Sequence, residues 1–446
     1  MYQRARKRIA TVAAASAVFA GGATITTAHA ADETPAKNRV LVVVVDFKDV
    51  KHSDADAVKE NARKEYFGGS QSIAGYYSKV SQGAFTYVPA AKDGVVGPYE
   101  LDLPQNPCDA GAVRTAAAKA AEADGYTADE DYDSISILQP SAGSDCGWAG
   151  LGSVPGPNTW IMVGEDSKIS KGAAVHEFGH NQGYSHHERD ECPGGDLDSC
   201  TTAEGYSSKT PMGGGGPGVG FAAPELISKG WLPGGQAVTV KKSATFTLNS
   251  LYGGKTGGAR ALDIPLGNDR LVVEYRHEDP TNKDDEDGNL DAALEGVYAY
   301  LAPEGDYNKS RLLDPTPGEG KGKEDAVSTL TDKKNNVEIE VGRSGGGSAT
   351  VSVGLDGVPA PDAAGGAKQG NTAAPAPQTQ GEEGAPVSEK GSDVGTPAAS
   401  RQAKDKDLAE TGGSSTTPLI AGIGAALACV GGVFLYTVRR RGRRSA

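Results

Sequence analysis

Four of the seven histidines in this sequence lie within residues 176–187. Three of them, His176, His180 and His186, form the pattern H-E-x-x-H-x-x-G-x-x-H. Residues four apart share one face of a helix, so His176 and His180 can direct two imidazoles at one metal ion. Gly183 can adopt a positive φ, which lets the chain leave the helix sharply and bring His186 back as a third ligand. Three protein ligands leave one tetrahedral position for water, so the spacing predicts one catalytic Zn²⁺.

Glu177 directly follows the first ligand and is the candidate general base. A bound zinc lowers the pKa of its water to near 7 and polarises a carbonyl, while Glu177 takes the proton and returns it to the leaving amine. An outward carboxylate in a salt bridge is the alternative for Glu177. His187 is the alternative third ligand, although the spacing favours His186.

The extended motif resembles that of the metzincin clan of zinc endopeptidases, and its setting resembles the gametolysin-like secreted peptidases within that clan. The resemblance covers about residues 38–235 and implies an α+β catalytic domain, with a twisted mixed sheet and an active-site helix. It also implies a methionine turn beneath the metal, for which Met212 is the candidate. A methionine that only fills the core is the alternative. Some metzincins carry a tyrosine two residues later, where this sequence has Gly214, so no tyrosine ligand is implied.

The N-terminus has the pattern of a secretory signal peptide. Four basic residues at positions 4–8 precede an apolar stretch of small residues, and Ala28-His29-Ala30 offers a cleavage site. Residues 1–30 are therefore predicted to be removed on export. A retained membrane anchor is the alternative.

Residues 408–446 combine three features. The pentapeptide Leu408-Ala409-Glu410-Thr411-Gly412 is followed by an apolar run over residues 419–438 and then by five arginines. The run is long enough to span a bilayer core, and the arginines favour a cytoplasmic tail. This order resembles a Gram-positive sortase sorting signal of the L-A-x-T-G type, which implies cleavage between Thr411 and Gly412 and attachment of Thr411 to peptidoglycan. A single-span membrane protein is the alternative, and both place the protein outside the cell.

The cysteines agree with export. One of the five, Cys429, lies in the apolar run, which leaves Cys108, Cys146, Cys192 and Cys200. An even number of cysteines suits disulfides in an oxidising compartment. Of the three pairings, Cys108 with Cys146 and Cys192 with Cys200 is favoured, because the second pair closes a short loop just after the zinc motif. A thiolate zinc site is disfavoured because no C-x-x-C is present.

The charge excludes one class of partner. Residues 31–411 carry all 58 acidic residues against 35 of the 44 basic ones, a net charge of −23. Nucleic acid binding needs a basic surface, so no nucleic acid partner is expected.

Between residues 38 and 235 the pattern predicts strands and helices in the order of an α+β domain. Residues 39–47 form a β-branched run typical of a strand covered on both faces. Periodicity and capping predict the other elements. They are helices at 54–66, 70–80 and 110–123, strands at 84–88, 132–138 and 159–163, and the zinc helix at 171–182.

Residues 236–355 alternate in short stretches that predict antiparallel strands, hence a small β-rich module. Its role is open between orienting substrate, binding a surface polymer and completing the core. Within it, the acidic run Asp284 to Asp291 offers oxygen ligands for Ca²⁺, but the glycine position does not fit an EF-hand and favours a solvated loop. Residues 356–407 are rich in Pro, Ala, Gly and Ser and predict a disordered tether.

These observations predict an exported, wall-anchored zinc endopeptidase that acts on protein or peptide substrates. Two alternatives remain: a surface adhesin whose metalloprotease-like domain is inactive, and a zinc hydrolase of a substrate other than protein. The intact Glu177 and the complete histidine set count against the first. Nothing in the sequence identifies the substrate.

Overall fold

The structure is a computed structural model that describes residues 35–90, 94–142, 146–253, 257–277, 290, 294–318 and 324–360, and the backbone of 408–411. Several predicted segments lie outside the described residues. They are the signal peptide (1–30), the tether from residue 361, the acidic run except Leu290, and the sorting signal from Gly412 onward, with its apolar run and arginines.

The first strand, β1 (Ala36–Asp46), confirms the strand predicted from the β-branched run. Successive side chains of a strand point to opposite faces of the sheet. Val40, Val42 and Val44 accordingly pack into one core cluster, and Leu41, Val43 and Val45 into another. All six side chains are fully buried, so the run is β-branched and aliphatic because both faces of the strand are covered.

The sheet built around β1 is mixed. Its strands are β1, β2 (Phe85–Pro89), β3 (Val95–Glu100), β4 (Ser134–Pro140), β5 (Gly150–Ser153), β6 (Asn158–Val163) and an outer strand, β18 (Leu408–Thr411). The order is β18-β5-β6-β4-β1-β2, with β3 also paired to β1. The pairs of β1 with β2, β3 and β4, and of β4 with β6, are parallel, whereas β5 is antiparallel to β6 and to β18. Strands β3 and β5 were not predicted from the sequence.

Five α-helices accompany the sheets within the described residues: α1 (Ala55–Phe67), α2 (Ile73–Val80), α3 (Ala110–Ala123), α4 (Lys171–Asn181) and α5 (Ala223–Lys229). The first four were predicted within a few residues of these bounds. Helices α1, α2 and α4 contribute to the core cluster on one face of β1, and α3 contributes to the other. None of the helices in the described ranges combines the length and apolar character needed to cross a bilayer.

The second sheet draws its strands from both sides of residue 235. In spatial order it consists of β8 (Thr201–Tyr206), β7 (Glu188–Glu191), β14 (Arg311–Asp314), β13 (Gly296–Ala302), β12 (Asp269–Arg276), β11 (Ala261–Leu266) and β9 (Ala237–Thr239). The catalytic domain and β-rich module predicted from the sequence therefore share one sheet, and the boundary placed at 235–236 runs through it. Two of its pairs, β9 with β11 and β7 with β14, are parallel, whereas only antiparallel strands were expected.

A third sheet lies entirely within the predicted β-rich module. Its antiparallel order is β10 (Ala244–Asn249), β17 (Ser348–Gly354), β16 (Val337–Gly345) and β15 (Thr329–Asp332). Its apolar residues, such as Leu248, Ile339 and Val351, share a core cluster with Leu262 and Val273 of the second sheet. The protein is thus an α+β fold, as predicted, and sheets make up most of its regular structure.

Candidate metal centre and active site

Helix α4 holds the first two candidate ligands. Ser170 caps its N-terminus by accepting a hydrogen bond from the Ala173 amide. His176 and His180 lie one turn apart, and their ring centroids are 4.6 Å from each other. His180 is fully buried and His176 nearly so.

The turn after α4 brings in the third histidine. Gly183 has a φ of +94°, the left-handed conformation that a residue without Cβ adopts at no steric cost. The His186 ring then lies 5.1 Å from the His176 ring and 4.9 Å from the His180 ring, centroid to centroid. The Gly183 turn therefore brings His186 back to the other two histidines, as the sequence pattern predicted.

Backbone carbonyls fix how two of these rings are oriented. His176 donates from Nδ1 to the Pro211 carbonyl at 2.8 Å, and His180 donates from Nδ1 to the Tyr184 carbonyl at 2.7 Å. A carbonyl oxygen only accepts, so in both neutral rings the proton is on Nδ1 and the Nε2 lone pair is available. The carbonyls thus select the tautomer that ligates a metal through Nε2.

The donor atoms have the spacing of a metal site. One ring nitrogen from each of the three histidines lies within 4.8 Å of the other two, and Nε2 of His176 is 3.2 Å from Nε2 of His186. Two nitrogens that each lie about 2.0–2.1 Å from a tetrahedral zinc would be about 3.3–3.4 Å apart. Nε2 of His180 is buried and makes no hydrogen bond to any described residue. The three residues therefore fit a divalent transition metal.

The surroundings of His180 also favour its neutral form. Burial, together with the positive charge that His186 can carry, lowers the pKa of His180 to about 4. A neutral imidazole is the form that binds a metal ion.

Glu177 lies against two glycines of strand β5. Its side chain is fully buried, and Gly150 and Gly152 of β5 face it. A Cβ on Gly150 would lie 2.8 Å from Oε1 of Glu177, and one on Gly152 would lie 2.5 Å from its carbonyl oxygen. The two glycines therefore make the space that the Glu177 carboxylate occupies, and the side chain does not point outward into solvent as the alternative for Glu177 required.

Met212 lies directly beneath α4. A Cβ on Gly179, between the two helical histidines, would lie 2.2 Å from the Met212 sulfur. The Met212 carbonyl accepts from the His187 amide, and the preceding carbonyl, of Pro211, holds His176. The segment predicted as a methionine turn is therefore both apolar floor and hydrogen-bond partner of the histidine region.

His187 does not join the histidine cluster. Its ring is buried, with Nε2 2.8 Å from Oγ of Ser310, and stands edge-on to the Tyr300 ring. Burial, with a further contribution from Arg276 and Arg311, lowers the pKa of His187 to about 3. Of the two candidates for third ligand, the structure places His186 in the cluster and His187 in the core behind it.

Tyr206 at the end of β8 contacts the cluster and was not predicted. Its ring packs against that of His186 with centroids 4.6 Å apart. Tyr206 comes from a strand 20 residues beyond His186 in the sequence, and no local motif marks it.

A buried group of charges lies under the floor and was also not predicted. Glu225 accepts hydrogen bonds from Thr210 Oγ1 at 2.8 Å and from the Ala222 amide at 2.6 Å. Burial raises the pKa of Glu225 to about 8, against the opposing effect of these hydrogen bonds. Glu225 thereby ties helix α5 to the loop that carries Met212.

Strand β12 contributes the other half of this group. Arg276 donates from Nε to Glu274 at 2.6 Å and from Nη2 to the carbonyls of Phe221 and Lys209. Glu274 also accepts from the Tyr300 hydroxyl at 2.8 Å. A strand from beyond residue 235 thus holds both ends of the loop between Lys209 and Phe221.

The four cysteines outside the apolar run form the favoured pairs. Cys108 is bonded to Cys146, with Cα atoms 5.6 Å apart, and Cys192 to Cys200, with Cα atoms 4.1 Å apart. A thiolate metal site at these residues is therefore wrong. The second disulfide closes the loop between β7 and β8, next to the strand that carries Tyr206.

Comparison with solved structures finds distant likenesses. Wild-type OgpA from Akkermansia muciniphila has 11% sequence identity and a TM-score of 0.28, covering 64% of this chain and 95% of that one. Catalytically inactive OgpA from the same organism, in complex with an O-glycopeptide (glycodrosocin) substrate, has 12% identity and a TM-score of 0.29, covering 71% and 91%. No curated protein matches the chain.

A sequence profile of the gametolysin peptidase M11 family matches residues 39–265. The match spans half of the chain and includes most of β1, the histidine cluster, Glu177, Met212 and Glu225. The chain therefore belongs to the gametolysin peptidase M11 family of metallopeptidases.

Proposed function

We propose that this protein is a zinc-dependent endopeptidase, with His176, His180 and His186 as the metal ligands and Glu177 as the general base. One observation carries the proposal. Three imidazoles, two of them held by carbonyls in the ligating tautomer, converge beside a buried carboxylate. Acidic and imidazole groups in this arrangement suit hydrolysis by an activated water.

The three histidines would hold the ion through nitrogen donors, a set that zinc accepts readily. A zinc ion bound there would supply Lewis acidity toward the substrate carbonyl and toward a water molecule. Hydrogen bonds from Nδ1 of His176 and His180 keep the rings directed at the ion, so little reorganisation is needed on binding.

Glu177 would transfer the proton of the attacking water to the leaving amine. Its carboxylate is enclosed by α4 and by the two glycines of β5, so it is held in place rather than free in solvent. It would accept a proton from the attacking water and deliver it to the nitrogen of the leaving amine. Met212 would support α4 from below, as a methionine turn does in a metzincin-like catalytic domain.

We extend the proposal to location and domain organisation. Residues 1–30 would direct export, residues 38–235 would carry the catalytic groups, and residues 236–355 would form the β-rich part that shares a sheet with them. Residues 356–407 would tether the enzyme, and residues 408–446 would let a sortase join Thr411 to the peptidoglycan of a Gram-positive bacterium. The two disulfides support an oxidising compartment outside the cell.

The test combines metal analysis with peptide-bond cleavage. Wild-type protein should clear a casein zymogram, and a chelator should abolish the clearing. Glu177→Gln should retain one zinc per chain and lose at least about 10²-fold in kcat, because the ligands survive while the base does not.

Glu165→Gln is the matched control, since Glu165 is an exposed glutamate outside the site. It should behave as wild type. Near-native turnover in Glu177→Gln would overturn the role of the base. Protein that carries zinc but clears no protein substrate would overturn the peptidase assignment.

A further inference from the structure

The outer strand of the first sheet comes from the far end of the chain. Residues Leu408–Thr411 form β18, which pairs antiparallel with β5. Leu408 lies opposite Ser153, Ala409 opposite Gly152, Glu410 opposite Leu151 and Thr411 opposite Gly150. These four residues are also the start of the L-A-x-T-G pentapeptide.

The strand that β18 covers borders the candidate active site. On its other edge β5 pairs with β6. The two β5 residues that face Glu177, Gly150 and Gly152, are those opposite Thr411 and Ala409. A backbone paired in this register therefore runs alongside the general base and along the helix that carries His180.

An open strand edge is a general docking site for extended peptides, because main-chain hydrogen bonds give affinity without requiring a particular sequence. We propose that residues 408–411 occupy this edge in cis and exclude peptide substrates from it. The inference rests on the proposed function for its enzymatic consequence. It also means that one segment serves two sites, since residues 408–411 cannot pair with β5 and lie in a sortase at the same time.

The tether predicted at residues 356–407 would make such occupancy effective even at low intrinsic affinity. A linker of about 50 residues with the composition of a flexible chain would give an effective concentration of about 1 mM. Competitive occupancy multiplies the apparent KM by a factor. This factor is one plus the ratio of the effective concentration to the inhibition constant of the free segment. A segment with an inhibition constant of about 0.3 mM would therefore raise KM about fourfold and leave kcat unchanged.

The test is a pair of proline substitutions in the full chain, purified in detergent. Amide groups alternate in direction along a strand, so Ala409→Pro with Glu410→Pro removes at least one N–H that faces β5. Ala403→Pro with Asp405→Pro is the matched control, since it replaces one alanine and one acidic residue just outside β18.

Hydrogen exchange of the Gly150–Ser153 amides is the readout that does not depend on activity, measured in a Glu177→Gln background. Exchange should accelerate in the 409/410 variant and stay unchanged in the 403/405 control. A synthetic peptide of residues 405–414 added to the 409/410 variant should restore protection. The same peptide with both prolines should not.

Peptide cleavage, measured in chains that keep the native Glu177, gives the second readout. The 409/410 variant should show a lower KM than the control at equal kcat. Equal exchange and equal KM in the two variants would overturn the inference. If every chain binds zinc but cleaves nothing, the proposed function fails, and the exchange difference alone still decides whether residues 408–411 occupy β5.

Discussion

Replacing Gly150 by alanine should lower the activity about 10²-fold without removing the metal. A Cβ at this position would lie 2.8 Å from both Cγ and Oε1 of Glu177, whereas an ordinary van der Waals contact is 3.4–4 Å. No atom of the three clustered histidines is among the nearest neighbours of this Cβ. The clash therefore falls on the carboxylate of Glu177, the proposed general base, and leaves the three imidazoles in place.

The size of the effect follows from the geometry. To restore a normal contact the carboxylate must retreat by roughly 0.6–1.2 Å, and a misplacement of about 1 Å costs about 10²-fold in rate. We therefore expect kcat/KM to fall about 10²-fold in Gly150→Ala, equivalent to about 2.7 kcal/mol of transition-state stabilisation.

The assay is cleavage of a fluorogenic peptide, with zinc measured per chain and the unfolding midpoint recorded in parallel. Gly147→Ala is the control, because a Cβ there would meet no atom within 4 Å and its φ is not in the left-handed region. Gly150→Ala should match Gly147→Ala in zinc content. Equal activity of the two variants would refute the argument that β5 sets the position of Glu177, and loss of zinc would show that the ligands had moved as well.

Two further predictions concern the floor of the site. In Gly179→Ala the new Cβ would lie 2.2 Å from the Met212 sulfur. Overpacking of about 1–3 kcal/mol, less about 1 kcal/mol gained in helix propensity, should lower the free energy of unfolding in urea. In a Met212→Ala background the same methyl group should stabilise instead, and a loss of equal size in both backgrounds would contradict the contact. Burial raises the pKa of Glu225 from 4.5 to about 8, so the folded state binds this proton more tightly than the unfolded state. Wild-type stability should therefore fall as the pH rises from about 4.5 through about 8, whereas Glu225→Gln should lose this dependence; parallel stability profiles of the two proteins would contradict it.

The histidine cluster could be predicted from the sequence because its geometry is local. The i,i+4 spacing of His176 and His180 on α4 and the positive φ of Gly183 together bring three rings within reach of one ion. The burial of β1 could be predicted for the same reason, since a continuous β-branched run leaves no polar face to expose.

The environment of Glu177 could not be predicted because it is formed by β5, whose sequence lacks the residue types that predict a strand. The sequence Gly150-Leu151-Gly152-Ser153 has no β-branched residue, and glycine is depleted in strands. Its meaning appears only when α4 is packed against it, where each glycine marks a close approach. Alternating glycines ahead of the motif were the one available signal.

The charged group beneath the floor depends on contacts between distant segments. Arg276 and Glu274 lie more than 50 residues beyond Phe221 and Ala223, whose backbone groups they bind, and their sequence reads as one more half-buried strand. The same is true of Tyr206, whose role is visible only from its stacking on His186. Composition and periodicity report neither kind of pairing.

Hydrogen bonds from β12 show how the β-rich residues support the region that carries the histidine cluster. The loop between Lys209 and Phe221 contains Met212 and six glycines, so it has little secondary structure of its own to hold its shape. Arg276 binds a carbonyl at each end of this loop, and a fully buried guanidinium with hydrogen-bond partners costs much less than one without. The Pro211 carbonyl that orients His176 belongs to the same loop. The histidine cluster is therefore supported from below by residues outside the segment that carries its motif, and the role of the β-rich residues that the structure supports is to complete the floor beneath this cluster.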